Sequence, residues 1–168
     1  MTQIVQAADR LVSGINQLML FLGSLALIAA SVILSYSVAS RAIFGATTDW
    51  QDEAAVFCLV GATFLCGAYV QQIRGHVGIS AISTMLPKTV NQLRVILIDI
   101  ASCAFCAFFA WKSWALFHEA WVDGHVTSSS WAPPLWIPYF MMAFGMTLLA
   151  VQILLQIFGD FSKRAKGN

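Results

Sequence analysis

The sequence predicts an all-α integral membrane protein: four transmembrane helices plus a short interfacial amphipathic helix, with both termini cytoplasmic. Three observations carry that expectation. Of 168 residues, 59% are hydrophobic and only 10% charged, against about a quarter charged in a typical soluble domain, and the mean hydropathy is +0.76. Apolar runs of the ~20 residues that a helix needs to cross a hydrocarbon layer of ~30 Å recur four times. Bases gather at one end of these runs and tryptophans at the other. The chain, residues 1–168, is expected to form a single four-helix transmembrane domain with spans at 14–40, 52–73, 93–117 and 134–158 and the interfacial helix at 77–86.

The first span is the clearest. After Asp9-Arg10 no charged residue occurs until Arg41, which leaves several turns more than a crossing requires. Ala26 to Ala30 loosely resembles a cleavage region, but the apolar run continues far beyond it and predicts an uncleaved span. The stretch Arg41 to Glu53 then brings one base, three acids and Trp50 together between two apolar segments. Gly45 breaks the helix, and Thr48 with Gln51 three residues on forms a capping-box pattern. Asp49, Asp52 and Glu53 fall in the first turn, where the positive end of the helix dipole favours anions. The second span supplies Ala54, Cys58, Ala62 and Cys66 at every fourth position, a small-residue stripe of the kind that lets helix backbones approach in lipid.

Arg74-Gly75-His76 closes that span. Ile79, Ile82 and Leu86 then follow helical spacing with Ser80, Ser83 and Thr84 between them, ahead of Pro87-Lys88. This segment is too short to cross and is predicted to lie in the membrane interface. The third span carries Arg94, which can snorkel to the boundary, then Asp99 about one and a half turns deeper, and Lys112 near the other end. A polar connection from His118 to Ser130 follows. Pro133-Pro134 and Pro138 mark the start of the fourth span, since proline is tolerated in a first helical turn. The four spans have unlike patterns, so an inverted-repeat transporter core is not expected.

Positive charge sets topology. Arg10, Arg74, Lys88, Arg94, Lys163, Arg164 and Lys166 share one side, and only Arg41 and Lys112 the other, so both termini are expected in the cytoplasm. All six tryptophans then fall at the outer end, together with Asp49, Asp52, Glu53, Glu119 and Asp123. That acidic, aromatic rim suits a thick interfacial belt and also a surface for a protein docking from outside.

No catalytic, substrate-binding or metal-binding residues, and no cofactor, are expected. Cys103 and Cys106 have the spacing of a thiol–disulfide pair but lie deep in the third span, where thiolate is disfavoured. His76, His118 and His125 form no zinc or haem pattern. No phosphate-cradling glycine loop is present, and no basic run for nucleic acid. Asp99 is the one intramembrane acid; a structural pair with Arg74 and a proton-carrying role are both open for it.

The residues Arg41-Ala-Ile-Phe-Gly45, then Trp50-Gln-Asp52-Glu53 running into an apolar helix closed by Arg74-Gly-His76-Val77, resemble the small membrane subunit (DctQ type) of tripartite ATP-independent periplasmic (TRAP) transporters. Leu86-Pro87 and the run Pro134-Leu-Trp136-Ile-Pro138-Tyr139 are also similar, so the likeness extends over nearly the whole chain. In that family a periplasmic substrate-binding protein captures a substrate, commonly an organic acid anion. It delivers this to a large multi-span membrane subunit that works by sodium symport. The resemblance implies a non-catalytic small permease subunit in the bacterial inner membrane, packed against the scaffold of the large subunit and sharing in docking of the binding protein. Its partners would be those two proteins and membrane lipids. By the same resemblance Arg41, Trp50, Asp52, Glu53, Arg74 and His76 are the candidate subunit or docking contacts. A self-assembling four-span channel or small exporter is the alternative, and a membrane thiol oxidoreductase a further one.

Overall fold

The computed structural model describes residues 2–45, 49–73 and 88–166. Within them four helices form: α1 (Thr2–Phe44), α2 (Asp49–Gln72), α3 (Lys88–Val122) and α4 (Trp136–Lys166). Each holds a segment long and apolar enough to cross a membrane, at Arg10–Phe44, Trp50–Gln72, Arg94–Val122 and Trp136–Gly159. Among the described residues the only β-contact is an isolated bridge between Val126 and Pro134. Thr48, Arg74, His76 and the predicted interfacial helix at 77–86 lie outside the described residues.

The helix ends follow local chemistry. Gly45, at φ +62°, ends α1 in the left-handed conformation, and its N–H donates to the Arg41 carbonyl at 3.1 Å. Gly124, at φ +63°, does the same for α3. The following N–H of His125 turns back to the Ala120 carbonyl at 3.1 Å, the six-to-one bond of a Schellman end. The third helix therefore runs on to Val122, past 117 and through His118 and Glu119. Residues 115–121 contain no breaker, and the first residue suited to a helix stop is Gly124. The fourth begins at Trp136, after Pro133-Pro134, with Pro138 inside its first turn, where a missing N–H costs nothing.

Helix neighbours define a row. α1 packs along α2, α2 along α4, and α4 along α3, while α1 reaches α4 over a short stretch only. α2 and α4 run parallel; the other two adjacent pairs are antiparallel. Small residues set the close crossings. Asn16, Gly23, Ala30 and Ser37 recur every seventh position of α1 and are all buried, the spacing of a left-handed helix seam. A Cβ on Gly23 would strike Cys66 Sγ and stand 3.5 Å from Ala62 Cα, so the small-residue stripe of α2 faces α1. Between α2 and α4, a Cβ on Gly145 would run into the carbonyl oxygen of Phe64. α3 and α4 bury Cys106, Ala110, Met146, Ala150 and Ile153 between them.

Candidate functional site

Polar side chains gather in two layers at opposite ends of the row. At the first, Arg41 sits in the last turn of α1 and Asp52 in the first turn of α2. Arg41 Nη2 donates to both oxygens of Asp52, at 2.8 and 2.5 Å. Ser37, one turn earlier on α1 and fully buried, accepts from Arg41 Nη2 at 3.0 Å and donates to Asp52 Oδ1 at 3.1 Å. The Arg41 and Asp52 side chains are half exposed, at 52% and 48%, so solvent screens the pair and it contributes at most about 1 kcal/mol. Its value is geometric: three bonds fix the angle at which α2 leaves α1.

Trp50 stands beside this triad. Its ring meets that of Trp131 edge-on at 6.4 Å, which brings the α3–α4 connection over the start of α2. Glu53 is partly buried, and its Oε2 is enclosed with no hydrogen-bond partner among the described residues. Four of the six candidate contact residues, Arg41, Trp50, Asp52 and Glu53, thus occupy this end, and Arg41 and Asp52 bond directly. At the same end of the row, Glu119, Asp123 and His125 cluster at the end of α3 with ligand atoms within 4.8 Å of one another. All three are exposed, and His125 approaches Asp123 only to 3.8 Å, so they form an open surface group without an enclosed chelate.

The second layer was not foreseen from the sequence. Asn16 on α1, fully buried, donates through Nδ2 to Gln72 Oε1 on α2 at 3.0 Å and to Gln152 Oε1 on α4 at 2.9 Å. Gln72 Nε2 returns to Ser13 Oγ at 2.8 Å. Gln71 Nε2 donates to Gln156 Oε1 at 2.9 Å, and Gln156 Nε2 donates to the Gln71 carbonyl at 2.9 Å. These neutral amides tie three helices together and occupy carbonyls that the end of α2 leaves open. The available signal was positional: Asn16, the pair Gln71-Gln72, and Gln152 with Gln156 one turn on each interrupt an otherwise apolar run.

The layers give a depth scale. Twenty residues separate Asp52 from Gln72 on α2, about 30 Å of helix, which is the thickness of a bilayer's hydrocarbon core. Phe64, twelve residues after Asp52, stacks on Phe109 of α3 at 6.4 Å and transfers that scale to α3. Asp99, buried at 8% exposure, is ten residues from Phe109 towards the amide end and so lies level with the amide layer. Lys112 is three residues from Phe109 in the other direction. It therefore stands about 13 Å inside the Arg41–Asp52 layer and about 17 Å from the amides. The continuation of α3 to Val122 thus puts Lys112 well inside the span, where the sequence had suggested a position near its end. Cys103 and Cys106 are free thiols on the same helix.

The model of one protein family, described as the DctQ component of the tripartite ATP-independent periplasmic transporters, matches residues 30–163, well over half of the chain. No curated protein matches the sequence.

Proposed function

We infer the role of this chain from its family: it belongs to the tripartite ATP-independent periplasmic transporters, as a DctQ component. It is the small permease component of such a transporter and a multi-pass membrane protein. On that footing the chain packs against the static scaffold of a large membrane subunit in the bacterial inner membrane. It contributes to docking of a periplasmic substrate-binding protein, in sodium-driven uptake of an organic acid anion. Both termini face the cytoplasm, so the Arg41–Asp52 layer is periplasmic and the amide layer cytoplasmic.

The observation that supports this reading best is the open row of helices. A closed four-helix bundle covers its apolar faces internally. Here α1 and α3 stand at the two edges, and large apolar side chains remain exposed along both, among them Phe21, Leu25, Ile28 and Val32 on α1 and Leu97, Phe105, Phe108 and Trp111 on α3. A row of this kind widens a partner's membrane footprint. A moving domain can translate only against a counterpart held still, and a broad layer gives that counterpart a larger anchor in the bilayer. Arg41, Trp50, Asp52 and Glu53, with Arg74 and His76, are the residues assigned here to subunit and docking contacts.

The test is co-purification in mild detergent followed by uptake in vesicles. Tagged chain is expected to carry a large multi-span protein with it, and uptake into vesicles holding both subunits is expected to require the binding protein and a sodium gradient. Recovery of the chain only as a homo-oligomer that conducts substrate by itself would replace this reading with the channel alternative.

A further inference from the structure

Lys112 has a position that helix packing within the chain does not explain. It is exposed, on the side of α3 turned away from the buried line of Cys106, Ala110 and Ser113, and α3 is an edge of the row. Among the described residues its ammonium rests against the ring of Trp111, at 4.8 Å, and that ring is itself 66% exposed. The depth scale places the residue near the middle of the apolar layer, about 13 Å from the nearer polar layer. An extended lysine side chain reaches only about half that distance, so snorkelling leaves the charge inside hydrocarbon. Cations at such depth are costly and occur facing protein or water, paired with a group of opposite charge. The surroundings on the same side of α3 are Phe105, Phe108, Ala115 and Leu116, all exposed, and none of these side chains offers the ammonium a hydrogen-bond acceptor.

We propose that this face of α3 is covered by a transmembrane helix of the large membrane subunit, and that Lys112 pairs there with a carboxylate of that helix at mid-depth. The proposal rests on the small-subunit reading above and adds to it which edge of the row meets the partner and by what chemistry. Charge complementarity selects the occupant. Lipid tails offer a cation nothing, and a second copy of this chain would set Lys112 near another lysine.

The experiment uses the assembled complex, with Lys112→Met and Lys112→Arg beside the parent chain. Met keeps length and apolar bulk, so the sign of its effect separates the two environments. Facing lipid, Lys112→Met leaves the isolated chain as stable or more so and leaves recovery of the large subunit unchanged. Facing a carboxylate, it lowers recovery of the large subunit by about fivefold or more, while the isolated chain melts no lower than the parent. A membrane-permeant carbodiimide, which condenses an amine with a carboxylate in contact, supplies the second readout. It is expected to join the two subunits through Lys112 in the parent complex and to fail with Met and with Arg, although Arg retains assembly. Unchanged recovery with Met, together with no Lys112-dependent cross-link, overturns the proposal while leaving the small-subunit reading intact. If the parent chain recovers no large subunit at all, both fall.

Discussion

Asn16 shows how much one neutral side chain can hold when it is buried where three helices meet. Its two donated bonds satisfy one amide oxygen on α2 and one on α4, and its own Oδ1 is enclosed without a partner among the described residues. Asn16→Leu therefore strands two acceptors in an apolar setting. It should cost about 1–2 kcal/mol, the range found for interhelical hydrogen bonds in membranes, read as a lower thermal midpoint of the detergent-solubilised chain. Adding Gln152→Leu should recover part of that loss, because removing both partners is milder than removing one. Arg41 makes the opposite case. Its pair with Asp52 is half exposed, so Arg41→Met should shift the stability of the isolated chain by less than about 1 kcal/mol. A marked drop in complex recovery for Arg41→Met would then report a contact with a partner, and unchanged recovery would leave Arg41 only its part in fixing the α1–α2 angle. Arg41 and Asp52 stood out in the sequence because charge is rare in this chain. Ser37, Asn16 and Gln152 did not, since a single neutral polar residue in a long apolar run gives no sign of which helix it will meet.

At the scale of the helices, contact distance is set by what is missing. Gly145 is the tightest of the described glycine contacts between α2 and α4, and the atom a Cβ would meet there is the Phe64 carbonyl oxygen. Backbone cannot rotate aside as the far end of a side chain can. Gly145→Ala should force the two helices apart and destabilise the fold by about 1–3 kcal/mol, the usual cost of overpacking. Gly61→Ala, whose Cβ would meet only the flexible Met141 thioether, should cost clearly less; equal melting points for the two variants would contradict this account. The helices themselves were legible from apolar run length, and the α2 stripe from its four-residue spacing. The order of the row was not. Periodicity shows that a face is small or apolar but not which neighbour it takes, and the parallel pairing of α2 with α4 joins helices far apart in sequence. α3 runs on through His118 and Glu119, because polarity alone does not end a helix that meets no glycine or proline.

At the scale of the whole molecule, the two polar layers and the apolar slab between them act as one device. The same separation appears twice: Asp52 to Gln72 on α2, and Ser37 to Asn16 on α1, twenty and twenty-one residues apart, both about 30 Å of helix. Two antiparallel helices pinned together at both ends cannot slide or shear to suit a different thickness, because either movement breaks the Arg41–Asp52 pair or the Asn16–Gln72 bond. A bundle held only by apolar contacts can tilt helix by helix, whereas α1 and α2 must tilt together. The chain's tolerance for a mismatched bilayer should accordingly be narrow. Reconstituted in a series of phosphatidylcholines of increasing chain length, the chain should reach its highest unfolding midpoint near a hydrocarbon thickness of ~30 Å and lose stability on either side, at a fraction of a kcal/mol per Å. With Asn16→Leu the inner pin is gone, and the dependence on thickness should flatten even as the maximum drops. A parent chain equally stable across the series would mean that the two layers do not mark the membrane boundaries, and the depth assigned to Lys112 would lose its basis with them.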